Sequence, residues 1–514
     1  MSTANLSRML GVHAIRYADH EALVFEGRRW TFRELDEQVN ALAVGLLAQG
    51  LQQASRVAVV ASNVPEYLML SLAVAKIGAV TVPLNYRLTS GELAQLMQHA
   101  QVEAVATVPE FRDLTEAALE SLDIGLRLAL EPIGEGWTDV GELIVAHKGA
   151  RVGDVELDDD ALQRIVYTSG TTSLPKGVML THGNVNANMH AQILEFGILP
   201  GDRILNVSPL YHVGGTDLPG YGIWHAGACM VLMRRFDAVE VLGVLAQERI
   251  TGTVLASTML DMIRRAATGK EDLSSVKWLM YGQVSLSLFH ELRPLFPRAR
   301  LIEGYGLTET CGGLTYVDAD HAESKHGSVG VPVPWVDVRI FDESDREVGP
   351  GQEGEVVARG PKVSPGYLDD GEATSNAFRG GWFHTGDIGL IDGDGYLYIR
   401  DRLKDMIRSG AENIASAEVE SVLAGHPQVL AVAVVGAPHP KWVEVPVAFV
   451  VGRSGLEAAD LVEYASSRLG KFKLPKEIYL IEEFPTNPSG KILKRELREQ
   501  LPSRTPDWAY EGPA

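Results

Sequence analysis

Over the first three-fifths of the chain, short apolar strands alternate with amphipathic helices, and this rhythm limits the fold more than any other feature. Arg56–Ala61 is a β-branched run, followed by a helix pattern over Glu66–Ile77 and a second strand at Ala79–Val82. The same order recurs later. Gly252–Ala256 reads as strand, Met259–Ala267 as helix, Val276–Tyr281 as strand, Leu286–Leu295 as helix and Arg300–Glu303 as strand. Buried strands spaced by helices predict an α/β fold of parallel sheets with covering helices. From Gly327 to Gly395 the pattern changes to short strands punctuated by glycine, Val336–Phe341 and Gly354–Ala358, with Tyr396–Arg400 following. That predicts a β-rich subdomain. Beyond it come Ser416–Leu423, Val429–Gly436, Val445–Val451, Ala458–Leu469 and Glu477–Ile481, in the order helix, strand, strand, helix, strand. A small α+β C-terminal domain is expected there. The charged segment Arg400–Lys404 marks the boundary, giving an N-terminal domain over 1–400, a hinge over 401–404 and a C-terminal domain over 405–514. A length of 514 residues suits two or three domains.

Composition removes several classes of function. Lys and Arg number 46 against 67 Asp and Glu, a formal charge of −21, which argues against nucleic acid or an anionic membrane as a general partner. Cys229 and Cys311 are the only cysteines, so no disulfide framework and no thiolate metal site is expected, and a reducing cytoplasmic setting fits. Arg8, His13, Arg16 and Asp19 precede any apolar run long enough for a signal peptide. The most apolar stretch, Tyr67–Val82, is interrupted by Lys76 and Gly78, so integral membrane association is not expected.

The most informative segment is Tyr167–Gly177, which follows the apolar pair Ile165–Val166 and so should leave a strand as a loop. Thr168, Ser169, Gly170, Thr171, Thr172, Ser173 and Lys176 offer hydroxyls, backbone N–H groups and one positive charge, which is what a triphosphate requires. Pro175 before the lysine and the lack of a hydroxyl residue after it separate this loop from the Walker A pattern. A surface loop of small polar residues would look similar apart from its lysine.

At this point the chain resembles the adenylate-forming enzymes, which include acyl- and aryl-CoA synthetases, peptide-synthetase adenylation domains and luciferases. Five further segments carry the resemblance, in the family's order. Pro209–Gly215 is similar to the acid-pocket motif and Glu303–Glu309 to the adenine and magnesium motif. Gly381–Asp387 is similar to the ribose motif, Asp401–Asp405 to the hinge and Pro485–Lys491 to the catalytic-lysine loop. The resemblance spans roughly residues 20–500 and implies ATP and coenzyme A as co-substrates, Mg2+ as cofactor, and a small-molecule carboxylic acid as partner. A homodimer is left open.

It also implies roles. Lys491, His212 and Thr308 are the candidate catalytic residues. Lys491, in a Pro/Asn/Ser/Gly turn, would stabilise charge building at the α-phosphate. His212 would flank the reacting carboxylate, or else be a structural histidine beside an aromatic. Glu309 is a hard oxygen ligand for magnesium, or a helix cap. Tyr305 would stack on adenine or fill a core; Gly282, Gln283 and Glu303 complete the adenine site. Asp387 would accept from ribose hydroxyls, with Arg402 on the same nucleotide. Gly410 and Ala411 would line a pantetheine tunnel, while Trp442, Phe472 and Lys476 would hold coenzyme A. Lys404 is the expected pivot of a mobile C-terminal domain. Ala411, Val443 and Gln283–Val284 add bulk relative to the family pattern.

His212, Gly306, Cys311, Gly312 and Gly313 suggest an apolar acyl pocket with little bulk at one wall. The expected reaction is AMP-forming ligation of a fatty acid to coenzyme A, with an aryl or phenylpropanoid acid of the coumarate or feruloyl type as the alternative. A peptide-synthetase domain fits poorly, because Tyr211-His212 stands where those relatives carry Phe-Asp. The C-terminal residues Glu511–Ala514 lack the peroxisomal address of a luciferase-like oxygenase. A non-catalytic nucleotide sensor would need neither Glu309 nor Lys491.

Overall fold

The computed structural model describes residues 5–153, 155–168, 175–282, 284–402, 405, 407–409, 412–414, 416–439, 442–466, 468–469, 473–486 and 492–510. The chain forms two compact units, one of residues 1–283, 290–338 and 358–383, the other of 284–289, 339–357 and 384–514.

The first unit holds two large sheets. In the nine-stranded sheet, Arg300–Leu307, Trp278–Tyr281, Gly252–Leu255, Arg203–Asn206, Cys229–Leu232 and Glu21–Phe25 run parallel side by side. Antiparallel strands close both edges: Gly312–Tyr316 beside Arg300–Leu307, and Arg28–Thr31 beside Glu21–Phe25. The seven-stranded sheet runs Thr138–Asp139, Leu126–Ala129, Ala104–Thr107, Arg56–Val60, Val80–Pro83, Leu162–Thr168 and Lys176–Thr181, antiparallel only at the final pair. The central strands are buried on both faces, as parallel sheets require; Val57, Ala58, Val59 and Val60 are all inaccessible to solvent. Leu93, Leu96 and Met97, from the helix Ser90–His99, close one side of that core. The predicted strand–helix rhythm is thus the observed one. The antiparallel edge strands and the helix Phe32–Ala48, which starts at a Thr31–Glu34 capping box, lay outside the periodic segments.

The second unit contains the antiparallel pair Phe383–Ile391 and Leu397–Arg402. Its larger sheet is built on Val443–Gly452, which pairs antiparallel with Val429–His439 and parallel with Glu477–Leu480. Alternation along these strands makes two cores. Val434, Ala448 and Val450 face the helices Ser416–Ala424 and Ala458–Ser466, while Ala433, Val435, Val447 and Phe449 join Leu497 on the other face. No helix among the described residues is long and apolar enough to cross a membrane.

Candidate active site

Strand polarity gathers several of the predicted residues. Gly282 follows Trp278–Tyr281, Glu303–Tyr305 lie along Arg300–Leu307, and Pro209–Gly215 follow Arg203–Asn206. These strands are parallel members of one sheet, so all three segments emerge at its carboxyl-terminal edge, where open α/β sheets bind ligands.

The segment expected to bind phosphate is flanked by two strands of the other sheet. Thr168 ends one strand, Lys176 begins the next, and the two are cross-strand partners. Ser169, Gly170, Thr171 and Thr172 lie outside the described residues. Lys176 Nζ sits 4.7 Å from the centre of the Tyr367 ring, and the Tyr367 hydroxyl donates to Glu309 Oε1 at 2.9 Å. Burial, and then the Glu309 charge, pushes the Tyr367 phenol well above its ordinary range, so it remains a donor. Glu309 lies in the single turn Thr308–Thr310, and its carbonyl accepts from Ser364 N–H at 2.8 Å. Thr308 is buried beside it. One tyrosine therefore joins Lys176 to Glu309. Sequence reasoning missed Tyr367, whose only local signal is the Pro365-Gly366 pair before it, lying between recognised motifs. Among the described residues no three His, Cys, Asp or Glu side chains could hold a metal. A lone carboxylate suits Mg2+, which takes its remaining ligands from phosphate oxygens and water.

The pocket motif is strapped in place from behind. Asn63 accepts from Leu210 N–H at 2.9 Å and donates to the Ser208 and Met233 carbonyls at 3.0 Å. Tyr67 donates to the Leu210 carbonyl at 3.2 Å. His212 is exposed and caps the short helix Val213–Thr216, its Nδ1 accepting from Gly214 N–H at 3.0 Å. In the neutral ring that bond places the proton on Nε2.

The small residues of the expected pocket wall have packing reasons of their own. A Cβ on Gly306 would lie 2.1 Å from the Gly312 carbonyl oxygen, and Gly312 itself has φ 86°, in the left-handed region. Cys311 is buried, with its thiol 3.5 Å from Asp217 Oδ1, against the ion pair of Arg164 and Asp217. Its side chain faces a polar cluster.

In the adenine segment, Gly282 and Tyr305 are half-buried and Gln283 lies outside the described residues. Glu303 is 5% exposed, its Oε1 has no hydrogen-bond partner, and burial raises its carboxyl to about 8. At neutral pH the group is mostly protonated. Because its folded value exceeds the ordinary 4.5, the associated stability is present at low pH and is lost as pH rises towards about 8. Glu303→Gln should therefore melt with wild type near pH 4.5 and progressively above it up to about pH 8, the gap then levelling. Thermal melts across that range check this; a pH-independent gap would mean the carboxyl is not held protonated.

In the second unit, Asp387 is 2% exposed and its backbone lies opposite Arg402 in the strand pair. Its turn is fixed by Glu355, which accepts from Gly386 N–H at 3.0 Å and bonds His384 Nδ1 at 2.7 Å. Trp442 is 43% exposed. Lys476 is partly buried with Nζ 4.7 Å from the Tyr510 ring centre, and burial lowers its ammonium. Lys404, Gly410, Ala411, Phe472 and Lys491 lie outside the described residues.

Residues 11–368 match the family model described as AMP-binding enzyme. The chain belongs to that family. Residues 418–491 match the AMP-binding enzyme C-terminal domain. This AMP-binding enzyme is 38% identical over 494 residues to a feruloyl-CoA synthase of Amycolatopsis sp, covering 95% of this chain and 98% of that protein. It is 34% identical over 488 residues to a long-chain-fatty-acid–CoA ligase of Mycobacterium tuberculosis, covering 93% and 94%. Its fold superposes with a TM-score of 0.85 on the o-succinylbenzoate CoA synthetase of Bacillus subtilis in complex with an acyl-adenylate intermediate, at 29% identity over 97% of this chain and 98% of that one. The AMP-binding enzyme is an acid–thiol ligase of the adenylate-forming kind.

Proposed function

We propose that this chain joins an aromatic carboxylic acid to coenzyme A in two steps through an enzyme-bound acyl-adenylate. The observation that carries the first step is the Lys176–Tyr367–Glu309 chain at the ends of the phosphate loop. It sets one positive and one negative group on a common aromatic support, as a triphosphate with a divalent cation needs. Mg2+ held at Glu309 would neutralise phosphate charge. The acid's carboxylate attacks the α-phosphorus, pyrophosphate leaves, and the Lys491 ammonium stabilises the charge that builds on the transferring group. Thr168, Ser169, Gly170, Thr171, Thr172 and Thr308 bind the phosphates, while Gly282, Gln283, Glu303 and Tyr305 bind adenine. Asp387 and Arg402 hold the ribose, and His212 gates the carboxylate.

In the second step the thiol attacks the acyl carbon and AMP leaves. Trp442, Phe472 and Lys476 hold coenzyme A, and Gly410 and Ala411 line its arm. The C-terminal domain, residues 405–514, turns between the steps about Lys404. A cytoplasmic setting supplies both co-substrates and suits two free, buried cysteines.

For the acid, the feruloyl-CoA synthase and o-succinylbenzoate CoA synthetase favour an aromatic acyl group. A fatty acid is the second reading, supported by the mycobacterial relative. Coenzyme A-dependent AMP formation assayed over cinnamic, benzoic and straight-chain acids tests the choice. The highest kcat/KM should fall on a cinnamic acid, and a maximum on a long-chain alkanoate would overturn the aromatic reading.

A further inference from the structure

Within the first unit, a group of charged and polar side chains lies out of water behind the Cys311–Gly313 wall. Lys362 is 1% exposed, and Asn188 and Gln192 are fully buried. Arg164 and Asp217 neutralise one another as a buried ion pair, and Arg164 also donates to Gln163 Oε1 at 2.9 Å.

Lys362 is different. Its ammonium donates to Asn188 Oδ1 at 2.7 Å and to the Gly313 carbonyl, both neutral acceptors. No carboxylate among the described residues lies within ion-pair distance of it. An ammonium has three N–H donors, and these bonds use two.

The backbone on either side of Lys362 is pinned. Asn184 Nδ2 donates to the Pro361 and Val363 carbonyls at 2.8 and 3.0 Å, and Ser364 Oγ donates to the Met179 carbonyl at 2.8 Å. Asn184 and Asn188 both belong to the helix His182–Phe196, so the strap delivers Lys362 to that helix and to Gly313. Burial lowers the ammonium to about 8, which leaves it charged at neutral pH. Its hydrogen-bond acceptors are neutral, and burial outweighs the favourable charges of Asp217 and Glu195 further off; an apolar side chain of the same length would fill the space without that cost. An acceptor brought in by a ligand removes the penalty.

We propose that Lys362 is a specificity-determining residue whose unused N–H, beside Asn188, receives an acceptor oxygen at the far end of the acyl substrate, phenolic or carboxylate. The proposal rests on the aromatic-acid reading above. The oxygen received is not that of the reacting carboxylate. That group must meet the phosphates near Lys176 and Glu309, and neither residue is among the contacts of Lys362.

The test measures pyrophosphate release by the full chain with coenzyme A, ATP and three matched acids: cinnamate, 4-hydroxycinnamate and 4-carboxycinnamate. Wild type should prefer at least one oxygen-bearing acid. Lys362→Met should lower kcat/KM for that acid by about 10-fold or more, mainly through KM, and leave cinnamate nearly unchanged. Lys362→Gln keeps a neutral donor and carries the test should the Met variant fail to fold. It should retain much of the phenol's rate but not the second carboxylate's, which distinguishes the two oxygens. An equal fall for all three acids, or a wild type indifferent to the distal oxygen, overturns the assignment to Lys362. Turnover of alkanoates with none of the three acids overturns the aromatic reading itself.

Discussion

Lys491→Ala should slow acyl-adenylate formation by about 10²–10³-fold or more, while transfer from a supplied acyl-adenylate to coenzyme A proceeds at nearly the wild-type rate. The asymmetry follows from where charge develops. In the first half-reaction two anions approach, the acid's carboxylate and the α-phosphate, and their repulsion peaks in the transition state. A preorganised ammonium is more valuable there than a neutral donor, because the whole charge is withdrawn on truncation. In the second half-reaction a thiol attacks a carbonyl already activated by its AMP leaving group, so Lys491 has no anion pair to offset. Single-turnover assays of pyrophosphate release and of acyl-CoA from synthetic acyl-adenylate separate the two. Equal losses in both would assign Lys491 to folding or to binding throughout the cycle.

A second large effect is expected at the proposed pivot. Lys404→Pro should leave the first turnover of pyrophosphate release intact, lower acyl-CoA formation by orders of magnitude, and accumulate bound acyl-adenylate. In the proposed cycle, one site would first enclose a triphosphate with Lys491 and later admit the pantetheine arm to the same carbonyl carbon. Such exchanges are absorbed by large φ/ψ changes at very few residues. Proline fixes φ near roughly −65° and removes an N–H, so the residue can no longer visit both states. Rapid-quench measurement of acyl-adenylate and acyl-CoA in one time course reads the outcome. Wild-type acyl-CoA formation by the variant would place the pivot elsewhere.

Much of the architecture was legible because parallel α/β layers leave a local signature. Apolar strand runs such as Arg56–Val60, alternating with helices such as Pro65–Lys76, need only a short window to be seen. At Thr168–Lys176 the composition of the segment suggests phosphate binding, while the cross-strand pairing of its ends comes from the fold. The connections around the site were not legible. Tyr367 meets Glu309 across 58 positions, and Arg164 meets Cys311 across 147. No local periodicity encodes such contacts. Cys311 and Gly312 read as a bare apolar wall because small residues suggest space. In the structure Gly312 takes a left-handed turn and Cys311 packs on an ion pair. Lys362, a single lysine between Pro361 and Val363, carries no local sign of burial; its placement comes from Asn184, which pins both neighbours.

The most direct test of the central claim is a pulse-chase on the full chain. Enzyme in excess is mixed with ATP, magnesium and a radiolabelled cinnamic acid in the absence of thiol, quenched, and analysed for acyl-adenylate; an identical sample, unquenched, is chased with coenzyme A and excess unlabelled acid. The expected result is one equivalent or less of enzyme-bound acyl-adenylate with matching pyrophosphate. The chase should convert that label to acyl-CoA and AMP faster than it is diluted by unlabelled acid. Label that reaches acyl-CoA without passing through the adenylate, or pyrophosphate that appears only once coenzyme A is added, would contradict the two-step account.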